Sequence, residues 1–404
     1  MRLRPLTLGA FAWICIGGVA TAQQMPKVDS ERQFSGDLSV SAIYDSNFAR
    51  SSSVRAALRG IKPKEYTLRP QANLNVVQPF GRQVLFLSGS GGYDFHRENP
   101  RLDRRRYDVQ GGYMASLGMC QAAVVETFRA AQSDLADLDL LEAKNEVRAI
   151  GTTVTAACGR PTGLGVSAAV SRIDTKNSAF VQRPADSTLE NLSVQLGYAN
   201  ENIGRIGLVY SYADSELPNR IIPGRPVGDG FWTESYGLSV GRDIGSRLTV
   251  DAQAARTRVK REFAPPGLNQ KFTSTTYAGD VTYRIGSRLS LNLNGERAVR
   301  PTMRPGKLYD IATAGQISGQ YSLGSRYTVS LGYGVQDVKS NVDTIALRPI
   351  ITSSRTHTGF GSVRYQQNDR TALILDVRYI DRNTNIPDFN YSSTRVAITA
   401  QVGF

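Results

Sequence analysis

His96 and His357 are the only two histidines in the 404-residue chain, so an imidazole-assisted nucleophile would have to be built on one of them. Neither has a suitable setting. No G-x-S-x-G segment would present a serine on a strained strand-to-helix turn, and both histidines fall near the ends of loops. The glycines of Gly89-Ser90-Gly91-Gly92 open no helical pattern, so their amides have no phosphate-binding helix end to join. The stretch DLADLDLLEAK carries Asp134, Asp137, Asp139 and Glu142, which could approach a calcium ion. Their spacing matches no EF-hand loop, and a solvated acidic loop or short helical turn accounts for them better. No catalytic group, metal set or cofactor site is expected.

Cysteine is the remaining reactive type. Cys15 lies within an N-terminal apolar run, which leaves Cys120 and Cys158. An even number of cysteines in an exported chain invites a disulfide. A pair 38 residues apart suits a structural bridge better than a redox pair, which would be closely spaced. Whether the two can meet depends on the elements that carry them.

Export itself is read from the first residues. Arg2 and Arg4 precede an apolar run over 6–19, and Ala20-Thr21-Ala22 offers small residues for cleavage. This pattern predicts a secretory signal over 1–22, a short periplasmic segment over 23–33 and one domain over 34–404. Of the 48 Lys and Arg, removing Arg2 and Arg4 leaves 46 against 35 Asp and Glu, a net charge of about +11. In an exported chain that excess points to lipopolysaccharide phosphates or an acidic polymer rather than nucleic acid. Beyond the N-terminal run there are no eighteen consecutive apolar residues, so no membrane-spanning helix is expected.

The rest of the chain alternates. Tyr327, Val329, Leu331, Tyr333 and Val335 interleave with Thr328, Ser330, Gly332, Gly334 and Gln336. Leu192 to Tyr198, Ile206 to Tyr212, Leu289 to Leu293 and Leu373 to Tyr379 do the same. Successive side chains of a strand point to opposite faces. Each of these strands therefore has one apolar face and one face bearing Gln, Asn, Asp or Arg. Short turns alternate with long loops, and Ile244-Gly245-Ser246-Arg247 returns as Ile285-Gly286-Ser287-Arg288 and Leu323-Gly324-Ser325-Arg326. A period of about 40 residues would also fit propeller blades, but a blade needs four short strands. Tyrosines recur near strand ends, as aromatic girdles require.

The fold class expected is all-β: a single transmembrane antiparallel up-and-down β-barrel of about 18 strands, or 16 if the weak first hairpin fails. Such a barrel is wide enough to hold an aqueous channel. In this register Cys120 opens the fifth strand and Cys158 closes the sixth, which places them on neighbouring strands at one rim. Asp251, Asp280, Arg284, Glu296, Arg364, Asp376, Arg378 and Arg395 fall on polar faces and are the candidate pore-lining residues. Asp376 and Arg378 are the best fixed, because apolar neighbours flank both. Their mixed sign implies a transverse field and internal ion pairs rather than strong anion selectivity. Basic residues also gather in the expected outer loops and strand ends. Arg50, Arg55, Arg59, Lys62 and Lys64 form one group, Arg97, Arg101, Arg104, Arg105 and Arg106 a second, and Arg256, Arg258, Lys260 and Arg261 a third. They are expected to meet lipopolysaccharide phosphates or an acidic polymer.

SAIYDSNFARSS at 41–52, with Tyr44, Asp45 and Asn47, resembles the opening of the β-barrel porin 2 family. The segments around Cys120 and Cys158 resemble that family's paired-cysteine hairpins. The resemblance runs over the whole mature chain and implies an outer-membrane pore, often associated with exopolysaccharide export and its partner components. Two other functions are carried beside it: an enzyme acting on outer-leaflet lipid, and a plugged structural or adhesive barrel. The chain ends RVAITAQVGF, and Phe404 is expected to serve as the terminal aromatic read by the barrel assembly machinery.

Overall fold

In a computed structural model of the chain, residues 32–133, 135, 144–220, 228–262, 271–301, 307–342 and 351–404 are described. The expected signal peptide and the acidic residues Asp134, Asp137, Asp139 and Glu142 lie outside them.

Eighteen strands make one sheet, each antiparallel to the next in chain order, and the last pairs with the first. They are β1 Gln33–Asp45, β2 Glu65–Phe80, β3 Gln83–His96, β4 Arg104–Leu117, β5 Cys120–Gln132, β6 Glu146–Gly159, β7 Gly163–Asn177, β8 Ser187–Asn200 and β9 Gly204–Leu217. The second half is β10 Asp229–Ile244, β11 Leu248–Arg261, β12 Lys271–Ile285, β13 Leu289–Pro301, β14 Lys307–Leu323, β15 Tyr327–Val342, β16 Ser353–Gln366, β17 Thr371–Thr384 and β18 Tyr391–Gly403. The count is therefore eighteen and not sixteen, and the first hairpin is formed along its full length. Strands of 13 to 17 residues exceed the roughly 9–11 that cross a bilayer, so their ends project beyond it.

The repeated Gly-Ser-Arg turns have a backbone reason. Gly245, Gly286 and Gly324 adopt φ of 59°, 63° and 65°, a left-handed conformation that glycine enters without steric cost. All the short turns lie at one end of the barrel and all the long loops at the other.

Outward faces are identified by exposure. Leu38, Leu85, Leu196, Leu208, Leu238, Leu293, Leu331, Leu375 and Ile398 are all 40% exposed or more. An apolar surface of that extent has no stable form in water and needs a lipid environment. Tyr44 and Tyr66, Tyr210 and Tyr236, and Tyr327 and Tyr365 pack as tilted pairs at the edges of this belt, with ring centroids 5.1, 5.3 and 4.9 Å apart. The barrel is thus a transmembrane one. Inside, hydroxyls and amides satisfy one another: Ser41 with Thr399 at 2.8 Å, and Ser235 with Thr257 and Thr257 with Thr276 at 2.8 and 2.7 Å.

Two local devices hold the wall. At the short-turn rim Cys120 and Cys158 are directly opposed and joined by a disulfide, Cα atoms 4.0 Å apart. At the seam, Gly36 and Phe404 exchange both backbone hydrogen bonds, at 3.2 and 2.9 Å. A Cβ at Gly36 would lie 2.5 Å from the Phe404 ring. The terminal aromatic thus covers the bare backbone of its partner, as rings do over glycines elsewhere in sheets.

Replacing Cys120 and Cys158 by Ser is expected to lower stability by up to about 4 kcal/mol, read as an earlier urea midpoint with the barrel still able to fold. Deleting Phe404, or making Gly36→Val, is expected to reduce the fraction of folded barrel in the membrane, scored by heat-modifiable gel mobility. Single-channel conductance of the surviving molecules should be unchanged.

Candidate functional site

Because β-strand parity is rigid, every inward side chain follows from the outward ones. Asp251, Asp280, Arg284, Glu296, Arg364, Asp376, Arg378 and Arg395 all lie on the face opposite the exposed apolar residues of their strands. They do not form one cluster. Asp251, Asp280, Arg284 and Glu296 belong to the β11–β13 wall, whereas Asp376, Arg378 and Arg395 belong to the β17–β18 wall, with Arg364 beside them on β16.

The β17–β18 wall continues into an arginine-rich arc through β1 to β5. Arg378 stands directly opposite Arg395, an unfavourable like-charge pairing by itself. Nearby carboxylates hold it: Asp376 is within electrostatic reach of both arginines, and Asp45 of Arg395. Asp45 is itself engaged. It takes Arg50 Nη2 at 2.7 Å and the Ser393 hydroxyl at 2.7 Å. On β2, Arg69 grips Asp94 of β3 through two hydrogen bonds of 2.6 and 3.0 Å. Arg106 of β4 reaches the same carboxylate at 4.0 Å. Arg129 of β5 lies opposite Asp108 on the inner face. Eight guanidinium groups (Arg50, Arg69, Arg104, Arg106, Arg129, Arg378, Arg382 and Arg395) thus face six carboxylates (Asp37, Asp45, Glu65, Asp94, Asp108 and Asp376).

The opposing wall is evenly balanced: Asp251, Asp280 and Glu296 share the inner face of β11–β13 with Arg261, Arg284 and Arg300. Asp251 and Asp280 face each other across β11 and β12. Arg205 relieves the first at 2.9 Å. The second accepts the Asn292 amide at 3.0 Å. Glu296 accepts from Arg300. Inside a barrel such an arrangement sets a field across the lumen rather than along it.

Two structures narrow the long-loop end. The first is the segment 46–64 between β1 and β2, which carries helix α1, Ser53–Leu58, capped by the Ser52 hydroxyl accepting from Arg55 N. Ala49, Ala56, Ile61, Leu102 and Leu135 bury one another there. The Arg59 guanidinium, 4% exposed, donates to the Ala49 and Leu135 carbonyls at 3.1 Å each. Arg55 stacks 3.8 Å above the Phe389 ring. This loop therefore ties together the connections that follow β3, β5 and β17.

The second is the long-loop end of the β13–β14 hairpin, over 297–301 and 309–311. Pairing of β12 with β13 stops at Tyr277 and Arg297, while β13 and β14 stay paired to Pro301 and Tyr309. Beyond that point the outer face of the hairpin packs on the inner face of β10–β12. Tyr309 lies 5.7 Å from Phe231 and 6.1 Å from Phe272, Val299 joins Leu217 and Val259, and Arg297 donates to Ser274 at 3.4 Å. The hairpin has folded into the barrel, and its other face, with Glu296 and Arg300, looks into the lumen.

Several basic residues stand elsewhere than expected. Arg59 and Arg50 are internal supports and not exposed loop cations. Arg104 and Arg106 are inward residues of β4, with Arg105 outward between them. Arg256, Arg258 and Lys260 do lie at a strand end as expected, on the outward face of β11 opposite Tyr236, Glu234 and Trp232, whereas Arg261 is inward and buried. Arg69 and Asp94, the tightest pair in the arc, were not singled out in sequence. Their signal was parity: Leu68 and Phe95 face out, so Arg69 and Asp94 face in. The ring of His96 meets the Thr67 hydroxyl at 3.0 Å, and that of His357 meets the Tyr333 hydroxyl at 2.7 Å. Among the described residues neither ring is hydrogen-bonded to a serine or a carboxylate.

Arg59→Ala is expected to free the 46–64 loop without unfolding the wall. It removes a buried charged donor, a loss of about 1.5–3 kcal/mol. Protease added to the purified, folded barrel should then cleave within 46–64 while the barrel keeps its heat-modifiable mobility; wild-type resistance in the variant would refute the tie.

No protein-family model and no curated protein matches the chain. Solved structures do match. OccK2 (OpdF) of Pseudomonas aeruginosa aligns over 92% of this chain and 98% of its own, with a TM-score of 0.50 at 13% identity. The FrpB iron transporter of Neisseria meningitidis aligns over 90% and 66%, with a TM-score of 0.50 at 9% identity. A BenF-like porin of Pseudomonas fluorescens Pf-5 aligns over 93% and 99%, with a TM-score of 0.48 at 12% identity. At these identities what is shared is the barrel fold, and the exopolysaccharide association implied by the sequence resemblance has no counterpart among them.

Proposed function

We propose that the protein is a passive outer-membrane channel for small polar solutes, drawing anions along its arginine-rich wall. The observation that carries this reading is the asymmetry of the lumen. Eight arginines, Arg50 included, face six carboxylates over β1–β5 and β17–β18, opposite a wall over β11–β13 whose three carboxylates meet three arginines. An anion entering such a lumen gains from guanidinium groups already held in place by carboxylates, while its polar remainder can bond to the hydroxyls and amides of the opposite wall. The short turns lie on the periplasmic side and the long loops outside, the usual arrangement of bacterial barrels.

The infolded β13–β14 hairpin supports a small permeant over a polymer. A polysaccharide chain would have to thread past it, and the exopolysaccharide reading rests on the sequence resemblance alone. The alternative of a lipid-modifying enzyme gains nothing from the two histidine settings.

Planar-bilayer recording under a salt gradient tests the channel. Wild-type protein is expected to conduct with a reversal potential favouring the anion. Replacing both Arg378 and Arg395 by Gln should lower the anion-to-cation permeability ratio by about twofold or more, with conductance retained. A folded barrel that never conducts would sink the proposal, and an unchanged reversal potential in the variant would remove the arginine wall from it.

A further inference from the structure

We infer that the outward face of β11 and β12, near the long-loop end, is a binding site for a phosphorylated lipid headgroup of the outer leaflet. Arg256, Arg258 and Lys260 alternate along one face of β11, and Lys271 of β12 stands opposite Lys260. That face is the lipid-facing one, because Arg256 and Ala254 are register partners of Tyr236 and Leu238, which are 55% and 56% exposed.

The four cations are clustered, whereas Arg105, Lys176 and Lys339 stand singly on the outward face at this end. Arg148, Arg172 and Arg355 each hold a carboxylate of their own, at 2.5, 3.0 and 2.7 Å. The Glu234 carboxylate stands opposite Arg258, but none of Arg256, Arg258, Lys260 and Lys271 has an ion-pair partner within 4.0 Å among the described residues. Instead Lys260 lies 5.6 Å from the Trp232 ring, and Arg256 donates to the Thr275 hydroxyl at 3.5 Å. Thr273 is exposed beside them. Unpaired cations, hydroxyls and an indole at the edge of an apolar belt are what a phosphate-bearing headgroup requires.

The surface below fits the rest of such a lipid. Ala252 and Ala254 continue down β11, and Gly279 of β12 is the register partner of Ala252. Larger side chains border this strip: Leu238 and Val240 on β10, Tyr277 on β12 and Leu293 on β13, each exposed. Small residues between tall ones leave a shallow track toward the membrane core in which an acyl chain can lie. Successive outward residues are about 7 Å apart, so the cations on β11 span a headgroup carrying more than one phosphate.

The experiment is a titration of purified barrel in detergent with diphosphorylated lipid A and with its dephosphorylated form, bound lipid being counted by native mass spectrometry. Wild-type protein is expected to hold the diphosphorylated lipid about tenfold more tightly or better, since each surface cation contributes appreciably to such attraction. R256Q/R258Q/K260Q/K271Q should abolish that preference, and A252F/A254F should weaken retention of both lipids. R148Q/R172Q should behave as wild type. If the quadruple variant does not fold, R258Q/K260Q gives the same reading at smaller amplitude. Equal retention by wild type and the cation variants would overturn the site. So would self-association lost in those variants without any lipid preference, which would assign the face to a second copy of the chain.

Discussion

Everything in this molecule depends on closing the hydrogen-bond ladder between β1 and β18. In hydrocarbon an unpaired backbone amide or carbonyl has no water to turn to and costs several kcal/mol. A sheet can therefore cross the membrane only without edges. The seam meets that demand with nine register pairs from Asp37–Gly403 to Asp45–Arg395, extended by the two bonds between Gly36 and Phe404. Once the seam is set, each strand's parity is set with it. A slip of one residue would turn Leu375 and Val377 inward and Asp376 and Arg378 into lipid. The chemistry of the lumen and the stability of the wall are consequences of the same register.

Closure explains why so many charged groups can be kept inside. A barrel of this circumference cannot be filled by its own side chains, so inward residues meet water and do not bear the full cost of burial. Arginines at the wall can then be held by fewer carboxylates than would neutralise them, as in the arc from Arg378 to Arg129. The compensating features are local: the two-pronged grip of Arg69 on Asp94 orients one guanidinium, and Asp45 orients Arg50 while remaining near Arg395. In the channel proposed above, such preorganised cations would lose little freedom as an anion passes, which suits a site that must release what it attracts.

Strand number, order and parity were legible in the sequence because period-2 alternation is a local signal and the Gly-Ser-Arg turns mark where it restarts. The cysteine pairing was legible for the same reason: a register derived from turns alone brings residues 120 and 158 opposite each other. The split of the charged residues into two walls was not legible. Which strands face each other across a lumen depends on closure and tilt, and no stretch of sequence records either. The infolded hairpin was hidden more deeply. Val299 and Tyr309 alternate as ordinary outward residues, and only the early end of β12–β13 pairing reveals that their outward face meets Phe231 and Phe272. Arg59 misled in the opposite sense, since a cation in a polar loop reads as solvated until Ala49 and Leu135 are seen to enclose it.

The two ends of the barrel solve different problems, and the solutions are not interchangeable. At the short-turn end the strands return within a few residues, so a covalent clip between β5 and β6 and glycines at positive φ are sufficient. At the other end the strands outrun the bilayer and water competes for every backbone group. There the chain builds small cores of its own: one under α1 around Leu102, the other where Tyr309 leans on Phe231. The first core draws its side chains from connections distant in sequence and the second from the ends of five strands, so each ties several strands' ends together as it narrows the mouth. Narrowing and bracing are thus one structural act, and a wider mouth could be had only by loosening the wall that carries it.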